Sequence, residues 1–501
     1  MLLGSFRLAE TARGLLLLAI ITALSCSNTH AASFHTTNAP ATPKSQVTPL
    51  FARQCGSTDV WPKGPGSALV PQAPTADLRN MLAEIDPARI NATITNLVSF
   101  GTRHTLSNQT DPVRGIGAAR DWLAAEFRAI IAGAAPGTNA TVSVPSYIQQ
   151  PTGSILFAVN ISDVVGTIRG ASDPDRVYVI TGHYDSRVTD IDNFTDDAPG
   201  ADDDASGVAV VMELLRVMVQ RPPPPATIVL GAVAGEEQGL FGADHLAQTL
   251  ADAGADVQGM FTNDIVGSAK ADDGTVDPFS IRLFAQGMPT TETAKQTATR
   301  ESIGGENDSP ARELARFVNE VATNDATGMS VRVIYRADRF LRGGDHEPFL
   351  KRGFPAARFT EPHENFAHQH QDVRVDAATG QQFGDLIEFC DFDFIARTAR
   401  VNGAALWSLA QAPGTPANVT MDTSVLTNNS TLLWEMGSDD GLAGYEVVWR
   451  ATDAPAWTNV IPVGLVDRAT VLLSKDNVVF GVRTVGTNGY RSPAAFPFPS
   501  G

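Results

Sequence analysis

Between residues 75 and 411, short apolar runs alternate with stretches whose apolar residues recur every three or four positions. The runs "RVYVI" (176–180) and "TIVLGAVA" (227–234) are almost uninterrupted in apolar character, as strands covered on both faces must be. "MFTNDIVG", "IRLFA" and "VRVIY" predict further strands. "ARDWLAAEFRAI" predicts a helix, with Trp122, Phe127 and Ile130 on the face shared by Ala118 and Ala119. "SGVAVVMELLRVMVQ" predicts another, with Val208, Val211, Met212, Leu215 and Val219 on one stripe and Pro222 to Pro225 ending it. "ARELARFVNEVA" predicts a third. Such alternation implies an α/β domain whose mostly parallel or mixed central sheet is flanked by helices.

Near "APGTPANVT" (412–420) the helical period disappears. "STLLWEM", "GYEVVWR", "TVLLS" and "VVFGVRTVG" follow, separated by Gly, Asp and Asn clusters, and predict a small β-sandwich over 412–501. Its Trp434, Tyr445 and closing "NGYRSPA" resemble a fibronectin type III domain. At the other end, Arg7 and Arg13 precede the apolar run Leu15 to Leu24, and small residues precede Ser33. This reads as a secretory signal peptide over 1–32, too short to span a membrane. Residues 33–74, rich in Thr, Pro, Ser and Ala without a period, read as a linker or pro-segment. The expected location is therefore outside the cytoplasm, extracellular or periplasmic, with no stable membrane anchor. Cys55 and Cys390 remain after the leader, as one disulfide or two free thiols; spacing does not choose between them.

Charge narrows the partners. The chain carries 37 Lys and Arg against 55 Asp and Glu, a net charge of −18, with no basic cluster. That excludes a nucleic-acid partner, which needs grouped cations.

The carboxyl ends of the predicted strands are where an open sheet gathers its function. After "RVYVIT" comes His183, followed by Asp185. "PGADDDASG" carries Asp202, Asp203 and Asp204 ahead of a helix. "TIVLGAVAG" leads to Glu236 and Glu237, "MFTNDIVG" supplies Asp264, and "ENFAHQHQD" supplies His368 and His370. Almost no cation stands near them in sequence. So many carboxylates at one place call for metal charge, and N and O donors without thiolate suit Zn²⁺, with Mn²⁺ or Co²⁺ as substitutes. Two ions sharing one bridging carboxylate need about five ligands, and two His with three acids supply them, leaving one Glu as general base. Taken singly, the Asp run could be no more than an acidic helix start, and a lone His a hydrogen-bonded core residue.

"GHYDS", "PGADDDASG", "GEEQGLFGADH", "NDIVG" and "HQHQD" together resemble the zinc aminopeptidase family M28, which includes secreted bacterial leucyl-type enzymes. "SFGTRH" (99–104) and "GGDHEPF" (343–349) extend the likeness across 75–411, and no HExxH helix is present. The resemblance implies the zinc exopeptidase fold and two zinc ions per chain. His183 and Asp264 would bind one ion, Glu237 and a late His the other, and Asp203 would bridge, with Asp202 and Asp204 as runners-up. Glu236 would be the general base, and Asp185 would orient His183. The late His is expected to be His368, which stands four residues before Asp372, with His370 the alternative. His346 falls at a motif position that is not a ligand. The implied activity is removal of N-terminal residues from peptides or proteins by a monomer. Another metalloexopeptidase, a glutaminyl-cyclase-like enzyme of the same superfamily, or a non-catalytic binding protein are the alternative readings.

Overall fold

Eight strands form the central sheet of the computed structural model, which describes residues 61–500. The expected leader at 1–32, residues 33–60 and Cys55 lie outside the described residues. The strands are β1 (Ala140–Ser143), β2 (Val164–Ile168), β3 (Asp173–His183), β4 (Ala226–Val233), β5 (Asp256–Asn263), β6 (Ser280–Ala285), β7 (Ser330–Ile334) and β8 (Ala356–Thr360). Their order across the sheet is β7-β6-β8-β5-β3-β4-β2-β1. The central four, β8, β5, β3 and β4, run parallel, and antiparallel pairings flank them at β6–β8 and β4–β2. The mixed sheet flanked by helices is the predicted one. Parallel neighbours need crossovers, supplied by the helices Ala205–Met218 between β3 and β4 and Phe241–Asp252 between β4 and β5.

The helix Ala205–Met218 is buried on nearly every face rather than along one stripe. Val210, Leu214 and Val217 are as inaccessible as Val208, Val211 and Leu215. The cause is its place in the interior: it packs on the sheet and also on the helices Pro87–Ser99 and Phe392–Gln411. Its first turn presses against the sheet so closely that a side chain on Gly207 would meet the Asn263 carbonyl at 2.0 Å, and one on Gly182 would meet the Gly207 backbone at 2.5 Å. Only glycine lets this helix start directly under the ends of β3 and β5.

Beyond residue 411 two four-stranded sheets enclose a separate core that includes Trp434, Tyr445, Trp449 and Phe480. One sheet contains Asn459–Gly464, Leu442–Ala451 and Val478–Gly486, and its edge strand is Ser67–Ala68. Pro65 also accepts a hydrogen bond from Trp449 Nε1 at 2.9 Å. The described end of the 33–74 segment is thus a strap on the C-terminal module. Composition rich in Thr, Pro, Ser and Ala does not separate a linker from an extended strap whose partner lies 393 residues away, as Ser67 and Val460 do by their numbering.

The module is fastened to the helix Pro310–Ala322 by buried charge. Arg450 Nη2 donates to Asp308 Oδ1 at 2.6 Å, Arg316 pairs with both Asp308 and Glu313, and Trp457 Nε1 donates to Glu313 Oε2 at 2.9 Å. Arg483 meets Glu320 at 3.1 Å. No helix among the described residues is long and apolar enough to cross a membrane.

Burial pushes the Glu313 carboxyl from 4.5 up to about 8 against the pull of Arg316, with Asp308 adding to the rise. The folded chain therefore holds a proton that the unfolded chain releases near pH 4.5. That contribution to stability is complete below 4.5 and is lost as pH climbs through about 8. Melting curves from about pH 5 to about pH 9 should show a smaller fall in Tm for Glu313→Gln than for the wild type. Parallel curves would contradict this account of the cluster.

Candidate metal centre

The ends of β3, β4 and β5 lie side by side because these strands are parallel neighbours. His183 is the last residue of β3, and Asp264 follows β5 directly. Glu236 and Glu237 follow β4 after the turn at Gly235, whose φ is +75°. Asp203 sits at the start of the helix Ala205–Met218, and His370 comes from the loop after β8.

His183 Nε2 lies 3.1 Å from Asp203 Oδ1 and 3.8 Å from Asp264 Oδ2. His370 Nε2 lies 2.8 Å from Asp203 Oδ2 and 3.1 Å from Glu237 Oε1. Asp203 thus turns one oxygen toward each group, and in each the three donor atoms lie within 4.8 Å of one another. Its neighbours are engaged elsewhere. Asp202 Oδ1 accepts from the Gly267 amide at 2.6 Å, and Asp204 caps the helix through Gly207 and also accepts from the His183 amide.

His368 stands in neither group, which corrects the expectation for the late histidine. Its ring stacks on Phe389 at 3.7 Å between centroids, and His370 faces Asp203 and Glu237 instead. His370 ends a turn with a φ of +55°, a conformation that counting residues back from Asp372 does not encode.

The donor set fits divalent metal. His183 Nε2 and Glu237 Oε1 are buried and have no hydrogen-bond partner among the described residues, although carboxylate or imidazole atoms stand close by. Polar atoms that converge without bonding one another are arranged for a cation between them. Imidazole and carboxylate without thiolate suit zinc in a hydrolytic setting.

Around these residues lies a supporting layer. Asp185 accepts from the amides of Glu236 at 3.2 Å and Glu237 at 3.1 Å, and its Oδ1 is 3.5 Å from His183 Nδ1. Arg358 Nη2 donates to Asp264 Oδ1 at 2.6 Å, and Arg187 Nε to Glu237 Oε2 at 2.9 Å. Buried Arg103 donates to the carbonyls of Tyr184, Pro199 and Gly200, tying the loop after β3 to the loop that carries Asp203. Charge near each motif does not reveal these arginines, because Arg358 is 94 residues from Asp264 and Arg187 is 50 from Glu237. A lone Arg inside the otherwise apolar run "AARFT" was the available signal for Arg358.

Burial raises the Glu236 carboxyl well above its ordinary range; His183 opposes the rise, while Asp264, Glu237 and Asp345 reinforce it. Burial opposes the rise of His370, yet Glu237 and Asp203 carry it up to about 10. Asp345, with neither oxygen hydrogen-bonded among the described residues, is pushed by burial to about 8. Glu236 lines a cavity of about 390 Å³ with Asp203 and Asp264, and among the described residues its carboxylate makes no hydrogen bond or ion pair. A carboxyl so placed and so uncommitted can carry a proton to and from a group in that cavity.

Residues 163–388 match the family described as peptidase family M28. A protein of Pyrenophora teres f. teres named "probable zinc metalloprotease" is 57% identical over 448 residues, covering 89% of this chain and 92% of its own. One of the same name from Pyricularia oryzae is 56% identical over 439 residues, 87% of each chain. The crystal structure of the LapA aminopeptidase of Legionella pneumophila is a distant likeness, with 17% identity and a TM-score of 0.48 over 69% of this chain and 78% of that one. With 57% identity to a fungal relative over 89% of the chain, and the family match spanning β2 to β8 and the clustered site, one assignment follows: the chain belongs to peptidase family M28.

Proposed function

We propose that the chain is a secreted, zinc-dependent aminopeptidase that removes N-terminal residues from peptides and proteins. The observation that carries this reading is Asp203, whose two oxygens face two separate donor groups in the cavity where Glu236 stands uncommitted. The name of the fungal relatives points to zinc as the metal. His183, Asp203 and Asp264 would hold one zinc, and Asp203, Glu237 and His370 a second. Zinc bound there supplies Lewis acidity toward a carbonyl oxygen and lowers the pKa of water. Glu236 takes the proton of the attacking water and passes it to the departing amine. Asp185 fixes the backbone of both glutamates and faces the outer nitrogen of His183, which keeps Nε2 free for the metal. Arg358 and Arg187 occupy the outer oxygens of Asp264 and Glu237, so each acid presents its other oxygen inward. Export by the segment 1–32 and an accessory, fibronectin type III-like role for 412–501 complete the reading and rest on the sequence.

Glu236→Gln should lower kcat on aminoacyl anilides by about 100-fold or more while zinc content stays at the wild-type level. Near-normal turnover would remove Glu236 from the role of base. Stripping metal with a chelator should abolish hydrolysis, and added zinc should restore it; activity at verified zero metal would end the metallopeptidase reading. Elemental analysis separates the two histidines. His370→Ala should lose one zinc per chain and His368→Ala none, and the reverse result would return His368 to the site.

A further inference from the structure

The cavity that holds the acids is also lined by Arg339 and Arg342. Arg339 is engaged at every nitrogen: Nε on Asp338, Nη1 on Glu364 and Nη2 on the Gly343 carbonyl. Arg342 is not. Its hydrogen bonds among the described residues, to Glu364 at 2.7 Å and Gln369 at 3.1 Å, both use Nη1, which leaves Nε and Nη2 uncommitted.

The ion pairs around Arg342 are unevenly shared. Arg282, Arg339 and Arg342 converge on the single carboxylate of Glu364, and Arg358 is shared by Asp338 and Asp264. Four guanidinium groups meet three carboxylates, and the inner oxygen of Asp264 is turned to His183. The most exposed of the four is Arg342, whose side chain is 31% exposed against 22% for Arg282, 7% for Arg339 and 0% for Arg358. It also stands one amide away from the centre of the site. Gln369 accepts from Arg342 through Oε1 and donates through Nε2 to Asp203 Oδ2 at 3.0 Å.

A guanidinium edge with two free donors, held beside a peptide-hydrolysing centre, matches the two oxygens of a carboxylate. We infer that Arg342 is a specificity residue that binds a substrate carboxylate lying within a residue or two of the scissile amide. The inference rests on the aminopeptidase reading and narrows its substrates to those bearing such a group. Consecutive Cα atoms are about 3.8 Å apart, so the carboxylate has two sources within reach: the C-terminus of a dipeptide, or the acidic side chain of the residue that follows the scissile bond.

Three substrates distinguish these: leucyl-glycine, its C-terminal amide, and leucyl-aspartic acid as its C-terminal amide. With wild-type enzyme, kcat/KM for at least one carboxylate-bearing peptide should exceed that for the neutral amide by about tenfold or more. Preference for the first identifies the C-terminal carboxylate, and preference for the third the acidic side chain. Arg342→Ala should erase the ratio through KM, and Arg342→Lys, which keeps the charge but not the fork, should restore part of it at wild-type Tm. Equal kcat/KM for all three peptides, or a ratio that survives Arg342→Ala, would overturn the inference and leave the aminopeptidase reading standing. No hydrolysis of any of the three by zinc-replete enzyme would overturn both.

Discussion

Mutual repulsion among buried carboxylates is the constraint from which the rest of this structure follows. Two like charges 4 Å apart cost about 4 kcal/mol even at an effective dielectric of 20, and Asp203, Glu237 and Asp264 share one small region with Glu236. The fold meets that cost locally before any metal is considered. The outer oxygens of Asp264 and Glu237 go to Arg358 and Arg187, and Asp185 is satisfied by two backbone amides. What remains unsatisfied points inward, toward His183 and His370. The inward atoms make the centre selective for a cation, because only positive charge relieves them all at once.

Such an arrangement tolerates little backbone drift, and the architecture supplies stiffness where it is needed. Parallel pairing of β3 with β4 and β5 sets three of the loops in register, so that His183, Glu236 and Asp264 emerge from adjacent strand ends. Glycines at 182 and 207 let the following helix start in contact with two strands, which brings Asp203 level with them. Arg103 then ties the loop after β3 to the loop before that helix through main-chain carbonyls, a role that composition alone would assign to a surface cation.

This division explains what could be read without coordinates. Positions at strand ends are legible, since strand period and motif order locate them; the structure clusters His183, Asp203, Glu237 and Asp264, with Glu236 in the cavity that the three acids line. The family resemblance names Asp203 among three consecutive acids, and that is the one turned toward both donor groups, while Asp202 and Asp204 accept from backbone amides. The expected His368 gives way to His370 because a left-handed turn decides which histidine faces inward, and spacing along the chain is blind to it. The arginines were invisible because their partners lie far away in sequence, as Arg358 and Asp264 do. The strap at Ser67–Ala68 escaped for that reason too, since its pairing partner belongs to the C-terminal module.

That module touches the chemistry only at a distance. Among the described residues none beyond 411 lines the site cavity. Its fastening is to the helix Pro310–Ala322, where Trp457 donates to Glu313, Arg316 donates to the Pro455 carbonyl and Arg483 meets Glu320, and that helix packs on β6, β7 and β8. β8 carries Arg358, the cation on the outer oxygen of Asp264. The module therefore braces the strand that neutralises one of the buried acids, from outside the cavity. A module that only braces should matter to how well the acids are held together, and not to which peptide is chosen at the cavity mouth.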